Sequence, residues 1–254
     1  MINSLRRTGS VDVSGAKLLN LGCGTKTADA DGVVNMDWGT YARIRQSPAL
    51  RRVAPYVVGK ARVEKLKQLP GNVLVYDLSK GIPAADNSVD AVYHSHMLEH
   101  LDRDIAEVFV REVRRVLRPG GIHRISVPDL EPIVRTYLSN LESTNGEADH
   151  DKYIHRLLEQ SVRREAAGTS SKAKPRRIVE NLVLGDARKR GETHQWMYDY
   201  KNLTALLERA GFTDIQRRSF DESSIPAWND YRLDRNLATN GEYKPDSLYM
   251  EARA

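Results

Sequence analysis

The strongest constraint on this chain is a series of short apolar runs, each breaking at a glycine, an acid or a polar residue. "AKLLNLGCG" (Ala16 to Gly24) reads as a buried strand entering a tight turn. "VVNMDW" (Val33 to Trp38) and "NVLVYDL" (Asn72 to Leu78) read as two further strands, each closing on an Asp. "SVDAVYHS" (Ser88 to Ser95) and "IHRISVPD" (Ile122 to Asp129) read as a fourth and a fifth. Helical patterns lie between them. Arg43 to Leu69 is one such pattern. In "RDIAEVFVREVRRVLRPGG" another places Ile105, Val108, Phe109, Val113, Val116 and Leu117 at three- and four-residue steps, and the Pro119-Gly120-Gly121 run stops it. Strands alternating with helices call for a mainly parallel sheet covered on both faces.

The alternation stops after the fifth strand. Residues 130–194 read as helical, polar and basic, without strand signals. "NLTALLERAGF" (Asn202 to Phe212) then reads as an amphipathic helix closed by Gly211, and "DIQRRSF" and "SLYMEARA" as closing strands. The expected organisation is one α/β domain, residues 1–129 and 195–254, interrupted by a helical insertion at 130–194.

In open α/β sheets ligands sit at the carboxyl ends of the strands, so those ends carry the chemistry. Gly22-Cys23-Gly24 lets a ligand approach the backbone closely. Thr27 stands where a G-x-G-x-x-G dinucleotide motif needs its third glycine, which counts against an NAD site. Asp37, thirteen residues after Gly24, can accept from both hydroxyls of a ribose. Asp77 can accept from an exocyclic amine. Alone, each Asp is more often a cap or turn former. Their occurrence in order, one at each strand end, argues for a nucleoside site.

The stretch "YHSHMLEHL" (Tyr93 to Leu101) holds three of the seven histidines, and its "HMLEH" fits the zinc-hydrolase pattern H-x-x-E-H. That pattern belongs in a long helix with a distant third ligand. Here it follows a buried strand, which disfavours a hydrolase.

Bulk properties set outer limits. The single cysteine, Cys23, excludes an intramolecular disulfide and suits a reducing compartment. "MINSLRRTGSVDVSGAK" has no apolar signal-peptide core, and no run is long and apolar enough to span a bilayer, so a cytoplasmic protein without membrane insertion is expected. The net charge is +5. From Arg163 to Arg190 there are nine Lys or Arg against three Asp or Glu, with no aromatic residue to stack a base. That segment reads as a solvated basic loop, and nucleic acid is not the expected partner.

Taken together, "LLNLGCG", "NMDW", "YDLSKGIPAADNSVDAVYHSHMLEHL", "REVRRVLRPGGIHRISVPDLE" and "MYDYKNLTALLERAGF" resemble class I S-adenosylmethionine-dependent methyltransferases, in particular bacterial members associated with glycan and sugar modification. The resemblance spans Ala16 to Asp129 and Gln195 to Ala254. It implies a Rossmann-like seven-stranded fold. It also implies S-adenosylmethionine as cofactor and S-adenosylhomocysteine as product. Gly22, Cys23 and Gly24 would line the methionine part. Asp37 would hold the ribose with Trp38 nearby, and Asp77 and Leu78 the adenine. His94 and Ser95 would border the sulfonium. Related quinone-pathway methyltransferases bind magnesium at the turn after the fourth strand. Here His96 replaces a carboxylate, so any divalent ion would meet a nitrogen-rich site, and a metal is not the favoured expectation.

A hydroxyl acceptor must lose its proton during methyl transfer, and a neutral histidine can take it. His96 is the first candidate base, with His94, Asp129 and His194 competing, although "VPDLE" could simply cap the next helix. Trp196 and Tyr198 read equally as a sugar-stacking wall or as core. The expected activity is O-methylation of a sugar, glycan or related metabolite. The alternatives are N- or O-methylation of a natural product, and a cofactor-binding protein without transferase activity. The basic insertion suits an acceptor site, a lid or a homodimer contact.

Overall fold

The computed structural model describes residues 11–39, 44, 71–141, 150–151, 153–155, 157 and 194–254. The pattern predicted over Arg43–Leu69, the basic loop and most of the insertion lie outside the described residues.

Seven strands form one sheet: β1 (Leu18–Leu21), β2 (Val33–Asp37), β3 (Val73–Val75), β4 (Val89–Ser95), β5 (Leu117–Pro128), β6 (Thr213–Arg218) and β7 (Ser247–Arg253). Their order is β3-β2-β1-β4-β5-β7-β6. The first five run parallel, and β7 pairs antiparallel with both β5 and β6. The sheet is therefore mostly parallel with an antiparallel edge. Chain order reverses between β1 and β4, so a crevice opens at the carboxyl ends of those two strands.

β1 is buried along its whole length because helices and loops cover both faces of the sheet. Leu19 and Leu21 face one cluster, with Val92, Ile125 and Val127. Leu18 faces the other, with Ala91, Tyr93 and Trp228. Helix α1 (Arg103–Val116) buries Ala106, Phe109, Val110, Val113 and Val116. The predicted contacts Ile105 and Val108 are exposed instead, at 51% and 64%. The stripe that packs runs through Ala106 and Val110, small and branched residues that let the helix lie close to the sheet.

The helix ends at Val116, ahead of Pro119-Gly120-Gly121, which lies inside β5. β4 and β5 align at Val89–Leu117 and again at Ala91–Ile122, so the extra residues bulge out between. Helix α2 (Leu130–Leu141) follows β5, and α3 (Tyr200–Arg209) starts on a capping box in which Asp199 and Asn202 bond each other's backbone. A short helix α4 (Trp228–Tyr231) precedes β7. Among the described residues no helix is long and apolar enough to cross a membrane.

Arg124, in the middle of β5, is fully buried. It reaches Asp234 at 2.9 Å and Glu251 at 3.0 Å, and donates to the carbonyls of Ser219, Phe220 and Glu222. Its guanidinium lies 4.3 Å from the Trp228 ring centroid. Every donor is met, as burial of this charge requires. Asp234 also accepts from Tyr93 Oη at 2.5 Å, which ties the network to β4.

Candidate active site

The loop after β1 turns on two left-handed glycines, Gly22 (φ 61°) and Gly24 (φ 53°). A Cβ on Gly22 would come within 2.6 Å of Met97 Sδ. Asn20, buried in β1, shapes the loop by donating to the Lys26 carbonyl at 2.9 Å. Gly24 N donates to Asp37 Oδ2 at 2.7 Å, and Gly39 N donates to Asp37 Oδ1. The bare turn of β1 and the acid of β2 are thus held side by side. Cys23 Sγ is buried, and burial, with the Asp37 charge adding, pushes the thiol far above its ordinary pKa. It carries no thiolate at neutral pH.

Asp77 lies two residues beyond β3 and caps a short 3-10 helix, Leu78–Lys80, accepting from Ser79 N at 3.1 Å and Ser79 Oγ at 2.7 Å. Leu78 packs against the main core. Trp38 is 43% exposed.

A cavity of about 200 Å³ opens at the crevice, lined by Asn20, the 22–26 loop, Tyr93, Ser95, His96, Tyr243 and Lys244. Gly22, Cys23, Gly24, Ser95 and His96 are therefore brought together. Asp37 borders the lining through Gly24, and Trp38, Asp77, Leu78 and His94 lie outside it. His94 cannot share a side with Tyr93 and Ser95, because alternate residues of a strand face opposite ways. Its Nε2 lies 3.0 Å from His123 Nε2, and its ring meets Phe109 edge-on. Burial, partly opposed by Glu99, lowers the His94 pKa to about 4.

The histidine turn is not α-helical. A 3-10 helix covers Leu98–His100, and α1 begins only at Arg103. His96 takes a left-handed backbone (φ 49°), uncommon outside glycine, and its N–H is held by the Ser126 carbonyl at 2.8 Å. Its Nε2 lies 2.8 Å from Ser247 Oγ, and its Nδ1 lies 3.4 Å from Glu99 Oε1. Burial lowers the His96 pKa, although Glu99 opposes this, so the ring is neutral at pH 7.

Glu99 is fully buried. Burial opposes its charge, but His96 and His100 outweigh it and hold the carboxyl below the ordinary range. His100 Nε2 stands 3.9 Å from Glu99 Oε1, and His194 Nε2 stands 4.0 Å from it. Nothing in the local sequence announces His194 as a neighbour. Gln195 N and Trp196 N both donate to the Glu99 carbonyl, at 2.7 and 3.2 Å, and that pairing brings His194 in.

Asp129 lies away from the cavity. It accepts from Glu131 N at 3.1 Å at the start of α2 and pairs with Arg217, which leaves its carboxylate engaged. Tyr198 is buried in the core, and Trp196 packs against it with Arg103 over its ring at 4.1 Å. Both rings are core rather than a wall of the cavity.

Sequence reasoning missed Asn20, Thr25, Lys26, Tyr93, Tyr243 and Lys244. Lys26 Nζ donates to the Arg235 carbonyl at 2.5 Å and lies 4.5 Å from the Tyr243 ring centroid. Tyr243 and Lys244 come from the loop before β7, which shows no motif.

A mostly parallel sheet with its switch point beside a glycine turn and a paired acid is the arrangement of a Rossmann-like fold. Residues 19–125 match the family described as a methyltransferase domain. The fold is thus a Rossmann-like methyltransferase fold, and the match supports an S-adenosylmethionine-dependent methyltransferase. No curated protein sequence matches the chain. Among solved structures, a SAM-dependent methyltransferase from Archaeoglobus fulgidus is 14% identical, with a TM-score of 0.42 over 95% of this chain and 88% of that one. An S-adenosylmethionine-dependent methyltransferase from Mesorhizobium loti is 18% identical, with a TM-score of 0.42 over 95% and 92%. The 1,6-didemethyltoxoflavin-N1-methyltransferase of Burkholderia thailandensis is 14% identical, with a TM-score of 0.39 over 93% and 69%.

The residues present fit the cofactor. Gly24 has open space where a Cβ would stand, with the Asp37 carboxylate bonded to its N–H.

Proposed function

We propose that the chain is an O-methyltransferase that uses S-adenosylmethionine to methylate a hydroxyl on a sugar, glycan or related metabolite. The observation that carries this reading is His96. It borders the cavity next to Ser95 and Gly22, and Glu99 and Ser247 bracket its ring. When bound, the cofactor supplies an electrophilic methyl group on sulfur and leaves as S-adenosylhomocysteine. Gly22 and Gly24 keep the floor of the site free of side chains, and Asp37 accepts from the ribose. Glu99 orients Nδ1 of His96, so that Nε2 takes the proton of the acceptor hydroxyl as the oxygen gains its methyl group. For that step Ser247 Oγ, which donates to the Lys244 carbonyl at 2.7 Å, must yield its place beside Nε2 to the acceptor hydroxyl. Ser95, Tyr243 and Lys244 supply polar groups that suit a hydroxylated acceptor. Residues 1–129 and 195–254 form the cofactor domain in this reading, and the basic insertion at 130–194 would serve as acceptor site, lid or dimer contact.

The test is methyl transfer from labelled S-adenosylmethionine to a panel of sugars, glycans, phenols and amines. Transfer to hydroxyls, lost by about 10²-fold or more in His96→Ala with S-adenosylhomocysteine affinity unchanged, supports the reading. Transfer to amines alone would favour the N-methyl alternative. Cofactor binding without transfer to any acceptor would favour a binding protein.

A further inference from the structure

Glu99, which orients His96 in the proposed reaction, also belongs to a second group of side chains at the same turn. Glu99, His100 and His194 each offer a ligand atom, and these atoms lie within 4.8 Å of one another. Glu99 is fully buried, and its nearest partner is His96 Nδ1 at 3.4 Å from Oε1, beyond a normal hydrogen bond, so neither oxygen is satisfied among the described residues. A buried carboxylate in that state is costly, and such groups are normally hydrogen-bonded, ion-paired or bound to a metal. Oε1 faces His100 Nε2 at 3.9 Å and His194 Nε2 at 4.0 Å. A tetrahedral ion with bonds of about 2.0–2.1 Å needs ligand atoms roughly 3.3 Å apart. The two carboxylate edges would close by roughly 0.6–0.7 Å and the edge between the two histidines by at most about 1.5 Å.

We infer that Glu99, His100 and His194 form a binding site for a divalent ion of the zinc class. Two imidazoles and one carboxylate suit zinc, and they do not suit magnesium, which prefers oxygen ligands and octahedral geometry. Three protein ligands leave a fourth position for water. His96 touches the same carboxylate at 3.4 Å and orients it from outside the ligand set. The ion would fasten the chain where it returns after residues 142–193 to the turn that borders the cavity. Glu99 and His100 share that turn, whereas His194 arrives through the bonds of Gln195 and Trp196 to the Glu99 carbonyl. Three ligands from two distant segments make the site a product of the fold rather than of the "HMLEH" pattern.

The test uses the full chain stripped of metal with a chelator and titrated with Co2+, then with Zn2+ in competition. The expected result is one equivalent of Co2+ with the strong visible bands of tetrahedral coordination, displaced by Zn2+. His194→Ala and Glu99→Gln are each expected to weaken Co2+ at least tenfold. His194→Cys is expected to keep the ion and add a sulfur-to-cobalt charge-transfer band, which a purely structural role of His194 would not produce. Circular dichroism of each variant separates loss of ligand from loss of fold. No saturable Co2+ binding by folded wild-type protein would overturn the inference. So would binding that His194→Ala and Glu99→Gln both leave unchanged. No arm requires turnover or cofactor, so its failure is distinct from failure of the methyltransferase reading.

Discussion

Removing the Asp37 carboxylate should separate cofactor binding from folding. Its two oxygens already accept from Gly24 N and Gly39 N. Each oxygen keeps a second lone pair for a ribose hydroxyl. A hydrogen bond to a charged group contributes about 1.5–3 kcal/mol. Two at the lower bound give about 3 kcal/mol, or roughly 150-fold in Kd. Asp37→Ala should therefore weaken S-adenosylhomocysteine about 150-fold by calorimetry. Folding should suffer less, because both N–H groups lie at exposed positions where water can replace the carboxylate. Asp37→Asn keeps one acceptor oxygen and turns the other position into a donor facing a backbone N–H, so about tenfold is expected from one lost bond. The order Asp, then Asn, then Ala should appear in affinity but not in thermal midpoint. Unchanged affinity in Asp37→Ala would remove Asp37 from the ribose role. A fall in midpoint that matched the fall in affinity would make it a loop tether only.

Three further outcomes follow from the same geometry. With His96 as base, kcat/KM should fall on the acid side through a pKa below the ordinary histidine value, because burial disfavours the imidazolium; a flat profile across that limb would move the base elsewhere. His94, neutral in the fold with a pKa lowered to about 4, binds its proton more readily when unfolded. Its stabilising contribution is complete above the ordinary value near 6.5 and is lost as pH falls toward 4, about 2 kcal/mol at pH 5. Urea midpoints of wild type should therefore fall more steeply between pH 6.5 and 4 than those of His94→Gln, and equal slopes would contradict this. Arg124→Met leaves Asp234 and Glu251 buried without their cation and should cost about 3–5 kcal/mol in denaturant unfolding, where a loss under about 1 kcal/mol would refute the network's role.

Much of the scaffold is readable from local patterns. The runs around Leu19, Met36, Val92 and Ile125 are strands because each is a short apolar segment bounded by turn residues. The glycine turn and the acid of β2 are readable as separate strand-end features, whereas the Gly24–Asp37 hydrogen bond that joins them comes from the fold. Local patterns misjudged the stripe of α1, since periodicity alone does not show whether Ile105 or Ala106 meets the sheet. They also misread His94 and Ser95 as neighbours in one site, although strand alternation sends them to opposite faces.

By itself, the sequence determined the α/β class, the glycine turn at Gly22–Gly24 and the acid at Asp37, because periodicity and strand-end chemistry are local properties. Only the tertiary structure decided what stands around "HMLEH". Ser247 reaches His96 from another strand, Tyr243 and Lys244 close the cavity from a loop without a motif, and His194 reaches Glu99 through backbone hydrogen bonds. Contacts between segments more than ninety residues apart depend on how the sheet orders its strands, and no spacing along the chain encodes that.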